Sequence, residues 1–363
     1  MRAGWVMSFA AALLCTACDE GRAPVAGGAD GGADAAAARD AAPADVDFGW
    51  PTVDPDPDGG VHSGPAFGDG GAGGDGGAPP AACTGKTGPT GGHVVAIVSG
   101  GLPRTAILHV PPSYDPREPA MLVFNFHGFG SADYQEELLT RMDDASDARG
   151  FLVVYPAGVA AGWNAGFCCG DAWTGGVDDV GFVRDLLAEI GAAYCVDPRR
   201  IYATGMSNGA FLSHRLGCEA SDIFAAIAPV AGVLGLAPAA CQPSRPVPVL
   251  EFNGTSDPLV PYEGGTPLLG VPVAGWLNFP SVADTMAIWR AKNGDVAPGA
   301  TIYDHGDATC VRWDGGAPVI LCTIDGGGHT WPGGVPLPTL GKTSTDISAT
   351  DTMLDFFAAN PLP

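Results

Sequence analysis

The stretch that most restricts what this chain can fold into is "RRIYATGMSNGAFLSHRL", residues 199–216. A β-branched and aromatic run, Ile201–Thr204, meets a Gly-x-Ser-x-Gly pattern and then a helix-compatible segment. The glycine spacing alone carries little in a chain with 55 glycines among 363 residues, so the flanks decide its weight. A strand that turns sharply into a helix at Ser207 strains the serine backbone, and Gly205 and Gly209 lack the Cβ atoms that would collide as strand and helix pack together. A helix beginning just after Ser207 also favours negative charge beside its hydroxyl.

That turn needs a sheet around it, and the sequence from Cys83 onward supplies one. "HVVAIVSG" and "RTAILHVP" read as an opening strand pair, and "MLVFNFHGFG" as a continuous apolar strand ending in a Gly-rich turn. One helical stretch is expected over "YQEELLTRMDDASDARG", followed by the strand "FLVVYP". Val180, Val183, Leu187 and Ile190 recur at helical spacing in "DDVGFVRDLLAEIGAAY". "FAAIAPVAG", "VPVLEFNG" and "PVILCTIDG" are later buried strands, and "SVADTMAIWRAKNG" is a helix opening on Ser281 with Asp284 three residues on. Alternation of this kind predicts an α/β fold with a mostly parallel central sheet and helices on both faces.

A serine hydroxyl is a weak nucleophile and needs a base, itself oriented by a carboxylate. In the α/β-hydrolase fold these follow in the order serine, acid, histidine. Beyond His214 on the elbow helix, only His305 and His329 come after Ser207. His329, in "IDGGGHTWPGG", follows a strand and lies in a loop able to reach the sheet's carboxyl edge, whereas His305 reads as a polar group at a strand end. Asp257 in "EFNGTSDPLVPY" follows a buried strand by a short turn and is the expected acid, with Asp222, Asp284 and Asp325 as alternatives. An oxyanion needs fixed donors, expected from the amide of Asn208 and from Gly128 and Phe129 in "HGFG".

The blocks "HGFG", "WNAGFCCG", "VDDVGFVRDLL", "VDPRRIYATGMSNGAFLSHRLGCE", "FAAIAPVAG", "NGTSDPLVPYEGG", "GGGHTWPGG" and "DISATDTMLDFF" resemble the bacterial esterase family that includes polyhydroxybutyrate depolymerases and feruloyl or acetylxylan esterases. The resemblance runs from about His93 onward and implies an α/β-hydrolase with Ser207 as nucleophile, Asp257 as orienter, His329 as base and no cofactor or metal. It also places the "NAGFCCG" loop near the cleft, so Trp163, with Trp331 just beyond the base, is expected to wall a substrate with an aromatic or hydroxyacyl group, a core position being the other reading for Trp331. Unlike many secreted polymer depolymerases, the chain ends at "FFAANPLP" with no polymer-binding module, which speaks against solid polyester as the substrate. A different class of function, a catalytically silent surface lipoprotein that holds glycan or polymer in a hydrolase-like cleft, would require a defect in the triad, and none is visible.

The N-terminus sets the compartment. Residues 1–18, "MRAGWVMSFAAALLCTAC", read as an export signal resembling that of a bacterial lipoprotein, with Cys18 as the lipidated residue; a plain cleaved signal peptide is the rival reading. Residues 19–82, dominated by Gly, Ala, Asp and Pro, cannot bury enough apolar surface to offset their ordering entropy and read as a disordered tether to an esterase domain over residues 83–363. The net charge of −23 disfavours nucleic acid or anionic lipid as partners, leaving the lipid anchor as the route to a membrane, in the cell envelope, or an extracellular location if the anchor is absent. Eight cysteines remain beyond Cys15 and Cys18, an even set that suits an oxidising compartment. Pairs are expected between Cys218 and Cys241 and between Cys310 and Cys322, with Cys83, Cys168, Cys169 and Cys195 left open.

Overall fold

A computed structural model describes residues 64–65, 83–267 and 278–363. The signal-like segment with Cys18 and all but Gly64 and Pro65 of the Gly/Ala/Asp/Pro-rich stretch lie outside the described residues.

Among the described residues ten strands form one sheet. In chain order they are β1 (Gly91–Ser99), β2 (Leu102–Val110), β3 (Ala120–Phe126), β4 (Leu152–Pro156), β5 (Val196–Met206), β6 (Ala226–Val230), β7 (Val249–Gly254), β8 (Ala300–His305), β9 (Ala308–Trp313) and β10 (Val319–Ile324). Their spatial order is β1-β2-β4-β3-β5-β6-β7-β10-β9-β8. From β4 through β10 the neighbours are parallel, and the β1–β2 and β8–β9 pairs flank them as antiparallel margins.

The central strands are buried on both faces, which is why they read as unbroken apolar runs rather than alternating ones. Along β3, Leu122 and Phe124 enter one core layer and Val123 the other. The first layer packs against α4 (Asp179–Ala193), α5 (Asn208–Glu219) and α6 (Val282–Lys292), through Val183, Phe211 and Trp289. The second packs against α1 (Asp133–Thr140), α2 (Met142–Arg149) and α7 (Ala349–Ala358), through Leu139, Met142 and Phe357. A short α3 spans Gly170–Thr174. The α6 start carries the full capping box, Ser281 and Asp284 satisfying each other's backbone N–H.

One expectation needs adjustment. The single helix expected over residues 134–150 is two, broken at Arg141, whose φ of 51° is left-handed and ends α1 while starting α2. The disulfides Cys218–Cys241 and Cys310–Cys322 are both present, the second directly across the β9–β10 ladder, and the four cysteines left open pair as Cys83–Cys195 and Cys168–Cys169. Nothing in spacing would suggest that adjacent cysteines join each other.

A pH dependence arises at α1. Burial, with a hydrogen bond to and repulsion from Asp143, pushes the Glu137 carboxyl from 4.5 up to about 7. A carboxyl whose pKa rises on folding holds its proton more tightly in the fold. Its contribution is therefore complete below pH 4.5 and lost as pH rises through about 7. Glu137→Gln, which stays neutral, is expected to match the wild type in thermal midpoint at acid pH and exceed it at pH 8. Thermal melts across that range check this, and superimposable curves would refute it.

Candidate active site

Four loops leave the carboxyl ends of the parallel strands on one edge of the sheet, the edge at which open α/β sheets bind ligands. Gly128 follows β3, Ser207 follows β5, Asp257 follows β7 and His329 follows β10.

Ser207 has a φ of 57° and ψ of −120°, a conformation that L-residues adopt only where the surroundings impose it. The surroundings are identifiable. A Cβ on Gly209 would lie 1.9 Å from the Phe126 carbonyl oxygen and 2.8 Å from that of His127, and one on Gly205 would lie 2.4 Å from the same Phe126 oxygen. The elbow glycines thus let strand and helix press against the end of β3, which brings the "HGFG" loop to the serine. Gly128 abuts Ser207 directly: a Cβ there would stand 3.4 Å from the serine Cβ and 3.9 Å from Oγ.

Asp257 and His329, far apart in sequence, meet at 2.7 Å between Oδ2 and Nδ1, both buried. The other carboxylate oxygen, Oδ1, accepts from the Leu259 and Val260 amides at 2.8 Å each, so the group is held on both sides. Because the carboxylate accepts, Nδ1 carries a proton, so in the neutral ring Nε2 is the nitrogen whose lone pair can take one. Among the described residues no hydrogen bond reaches Ser207 Oγ. Such contacts are often long in unliganded hydrolases and tighten with substrate.

The alternatives are occupied elsewhere. Asp222 pairs with Arg184, Asp284 caps α6, Asp325 accepts from Thr255, and His305 is half-exposed beside Asp346. The cleft expectation is corrected by burial. Trp163 and Trp331 are both fully buried, so neither walls an open cleft. Trp331 packs in the second core layer with its Nε1 donating to Thr350, and Trp163 packs edge-to-face on Phe126 beneath the site.

Trp163 instead belongs to a network that the sequence did not announce. Its amide donates to Asn208 Oδ1 at 2.7 Å and its carbonyl accepts from Asn208 Nδ2 at 3.2 Å, clamping the residue after the serine. Beside it the Arg104 guanidinium lies 3.7 Å over the Phe182 ring and pairs with Asp179 at 2.9 Å. Desolvation pulls Arg104 down and pushes Asp179 up, and their mutual attraction opposes both shifts. An arginine on β2 and an aspartate opening α4 carry no motif that would mark them as neighbours of the elbow.

Residues 105–262 match the family described as Esterase PHB depolymerase, a span that includes Ser207 and Asp257 but not His329. NocK of Nocardia uniformis subsp. tsuyamanensis, which is named as an esterase, is 35% identical over 287 residues, covering 72% of this chain and 80% of its own. Feruloyl esterase B of Piromyces equi is 34% identical over 236 residues, 62% of this chain, and the chain spans 42% of that protein's length. Among solved structures, an acetyl xylan esterase from Aspergillus awamori superposes with a TM-score of 0.51 over 73% of this chain and 100% of its own, at 14% identity, a likeness of fold. The chain therefore belongs to the PHB depolymerase family of esterases and is a carboxylic-ester hydrolase on the α/β-hydrolase fold.

Proposed function

We propose that this protein is an exported serine esterase of the feruloyl esterase and polyhydroxybutyrate depolymerase type, working through an acyl-enzyme. Ser207 Oγ attacks the ester carbonyl while His329 Nε2 takes its proton. Asp257 holds the imidazole in the tautomer that can accept it and stabilises the imidazolium. The amides of Asn208, Gly128 and Phe129 receive the oxyanion. His329 then protonates the leaving alcohol, and water, deprotonated by the same histidine, releases the acid. The observation that carries the reading is the buried 2.7 Å contact between Asp257 and His329 on the sheet edge that also holds the strained Ser207. A panel of feruloyl, acetyl and 3-hydroxybutyryl esters tests it. Turnover of at least one class is expected, and inertness toward all three would overturn the reading.

The export reading rests on the sequence of residues 1–18. With Cys18 lipidated, the protein partitions into the detergent phase, and Cys18→Ser moves it to the aqueous phase, because one lipid-modified terminus is what ties an acidic, otherwise soluble chain to a membrane. Wild-type protein wholly in the aqueous phase, with a mature terminus other than Cys18, would contradict the anchor.

A further inference from the structure

We infer that His127 and Trp163 are positioning residues that aim the backbone N–H groups of Gly128 and Phe129 at the oxygen that gains charge beside Ser207. The inference rests on the proposed role of Ser207 and assigns function to two side chains outside the triad.

Two consecutive peptide planes are pinned by side-chain hydrogen bonds. The indole Nε1 of Trp163 donates to the His127 carbonyl at 2.9 Å. The Gly158 amide donates to His127 Nε2 at 3.0 Å, so Nε2 is the acceptor and the ring proton belongs on Nδ1. That Nδ1–H donates to the Gly128 carbonyl at 2.7 Å, which the Ser131 amide also engages at 3.1 Å. Burial lowers the His127 pKa, which keeps the ring in the neutral form this pattern needs.

Both peptide bonds are trans, since Cys168–Cys169 is the only cis bond among the described residues. In a planar trans peptide the N–H points opposite to the C=O. Fixing the carbonyl of His127 therefore fixes the N–H of Gly128, and fixing that of Gly128 fixes the N–H of Phe129. Neither N–H has an acceptor among the described residues. Both residues are half-buried, and Gly128 abuts Ser207; two adjacent N–H groups left free of protein acceptors at such a place are what a preorganised anion site requires.

Trp163 joins this half of the site to the other. The same residue whose ring holds the "HGFG" loop clamps the Asn208 side chain through its own backbone. The Asn164 amide next to it donates to Asp179 Oδ2 at 2.7 Å, and Asp179 is anchored by Arg104. The spacing between the donor sets is thus set by one buried residue rather than by two independent loops.

Trp163→Phe keeps an aromatic ring at the position and removes the Nε1 donor together with part of the indole's volume, so its effect is read against the titrated fraction of competent sites. His127→Ala removes both ring nitrogens, whereas His127→Asn restores a donor near the Nδ1 position. Each full-length variant is titrated with a fluorophosphonate probe to count competent sites, and kcat, KM and affinity for an aryl boronic acid, which forms a tetrahedral adduct on serine, are measured per site. Mis-aiming of donors by a fraction of an ångström predicts a roughly 10- to 100-fold fall in kcat for Trp163→Phe and His127→Ala. Boronate affinity should fall in parallel, with KM nearly unchanged and substantial recovery in His127→Asn. If His127→Ala does not fold, Trp163→Phe and His127→Asn carry the test. Wild-type kcat and boronate affinity per titrated site, or a loss explained wholly by fewer sites, would overturn the inference. Turnover surviving in Ser207→Ala would instead overturn the reading on which it rests, so the two failures are separable.

Discussion

Ser207→Ala is expected to lower kcat/KM on any accepted ester by about 10⁴- to 10⁶-fold while leaving the fold intact. The strain at this position, a φ of 57°, is imposed by the packing of Gly205 and Gly209 against the end of β3 and not by the hydroxyl, so alanine inherits the same backbone. The residual rate is expected from substrate binding and the proposed oxyanion donors, which the substitution leaves in place. Initial-rate kinetics with far-ultraviolet circular dichroism checks both halves. Unchanged turnover would remove Ser207 from the mechanism. Lost turnover with a lost fold would mean that the experiment had measured stability.

Gly209→Ala is the second large effect, and it acts on structure. The added Cβ would fall 1.9 Å from the Phe126 carbonyl oxygen and 2.5 Å from its carbon, both backbone atoms of a central strand with no freedom to step aside. Either β3 and α5 separate, opening the centre of the sheet, or the elbow unwinds. The expected cost is above about 4 kcal/mol, in the range reserved for core disruption, and it should appear as loss of soluble folded protein. Gly191→Ala is the control. Its Cβ would meet nothing within 4 Å, and it sits inside α4 at an ordinary helical conformation, so it should be neutral or stabilise by roughly 0.5 to 1 kcal/mol. Equal stability of the two variants in urea melts would refute the packing account of the elbow.

What could be read before the structure was what local chemistry writes into neighbouring residues. The elbow was legible because three signals coincide within a few positions: an apolar strand, paired glycines and a helix start. Asp257 and His329 were legible because each follows a buried strand by a short turn, and the order of the strands puts both on one edge. Burial was not legible. Trp163 and Trp331 stand beside motif residues, and proximity along the chain says nothing about which side of a loop faces water; both proved to be core. The break at Arg141 was missed because a non-glycine in the left-handed region leaves no mark in the hydrophobic pattern. The brace around Asn208 was missed for a related reason. Arg104, His127, Trp163 and Asp179 come from four separate segments, and only the folded sheet brings them together.

The central claim is that Ser207, activated by His329, is the nucleophile, and one measurement addresses it directly. The full-length protein is treated with a fluorophosphonate, digested, and the modified residue located by tandem mass spectrometry, with His329→Ala treated in parallel. The account predicts one adduct per chain, on Ser207, and a labelling rate in His329→Ala lower by several orders of magnitude. An adduct on another serine, or unlabelled Ser207 in protein that turns over its ester at full rate, would contradict it.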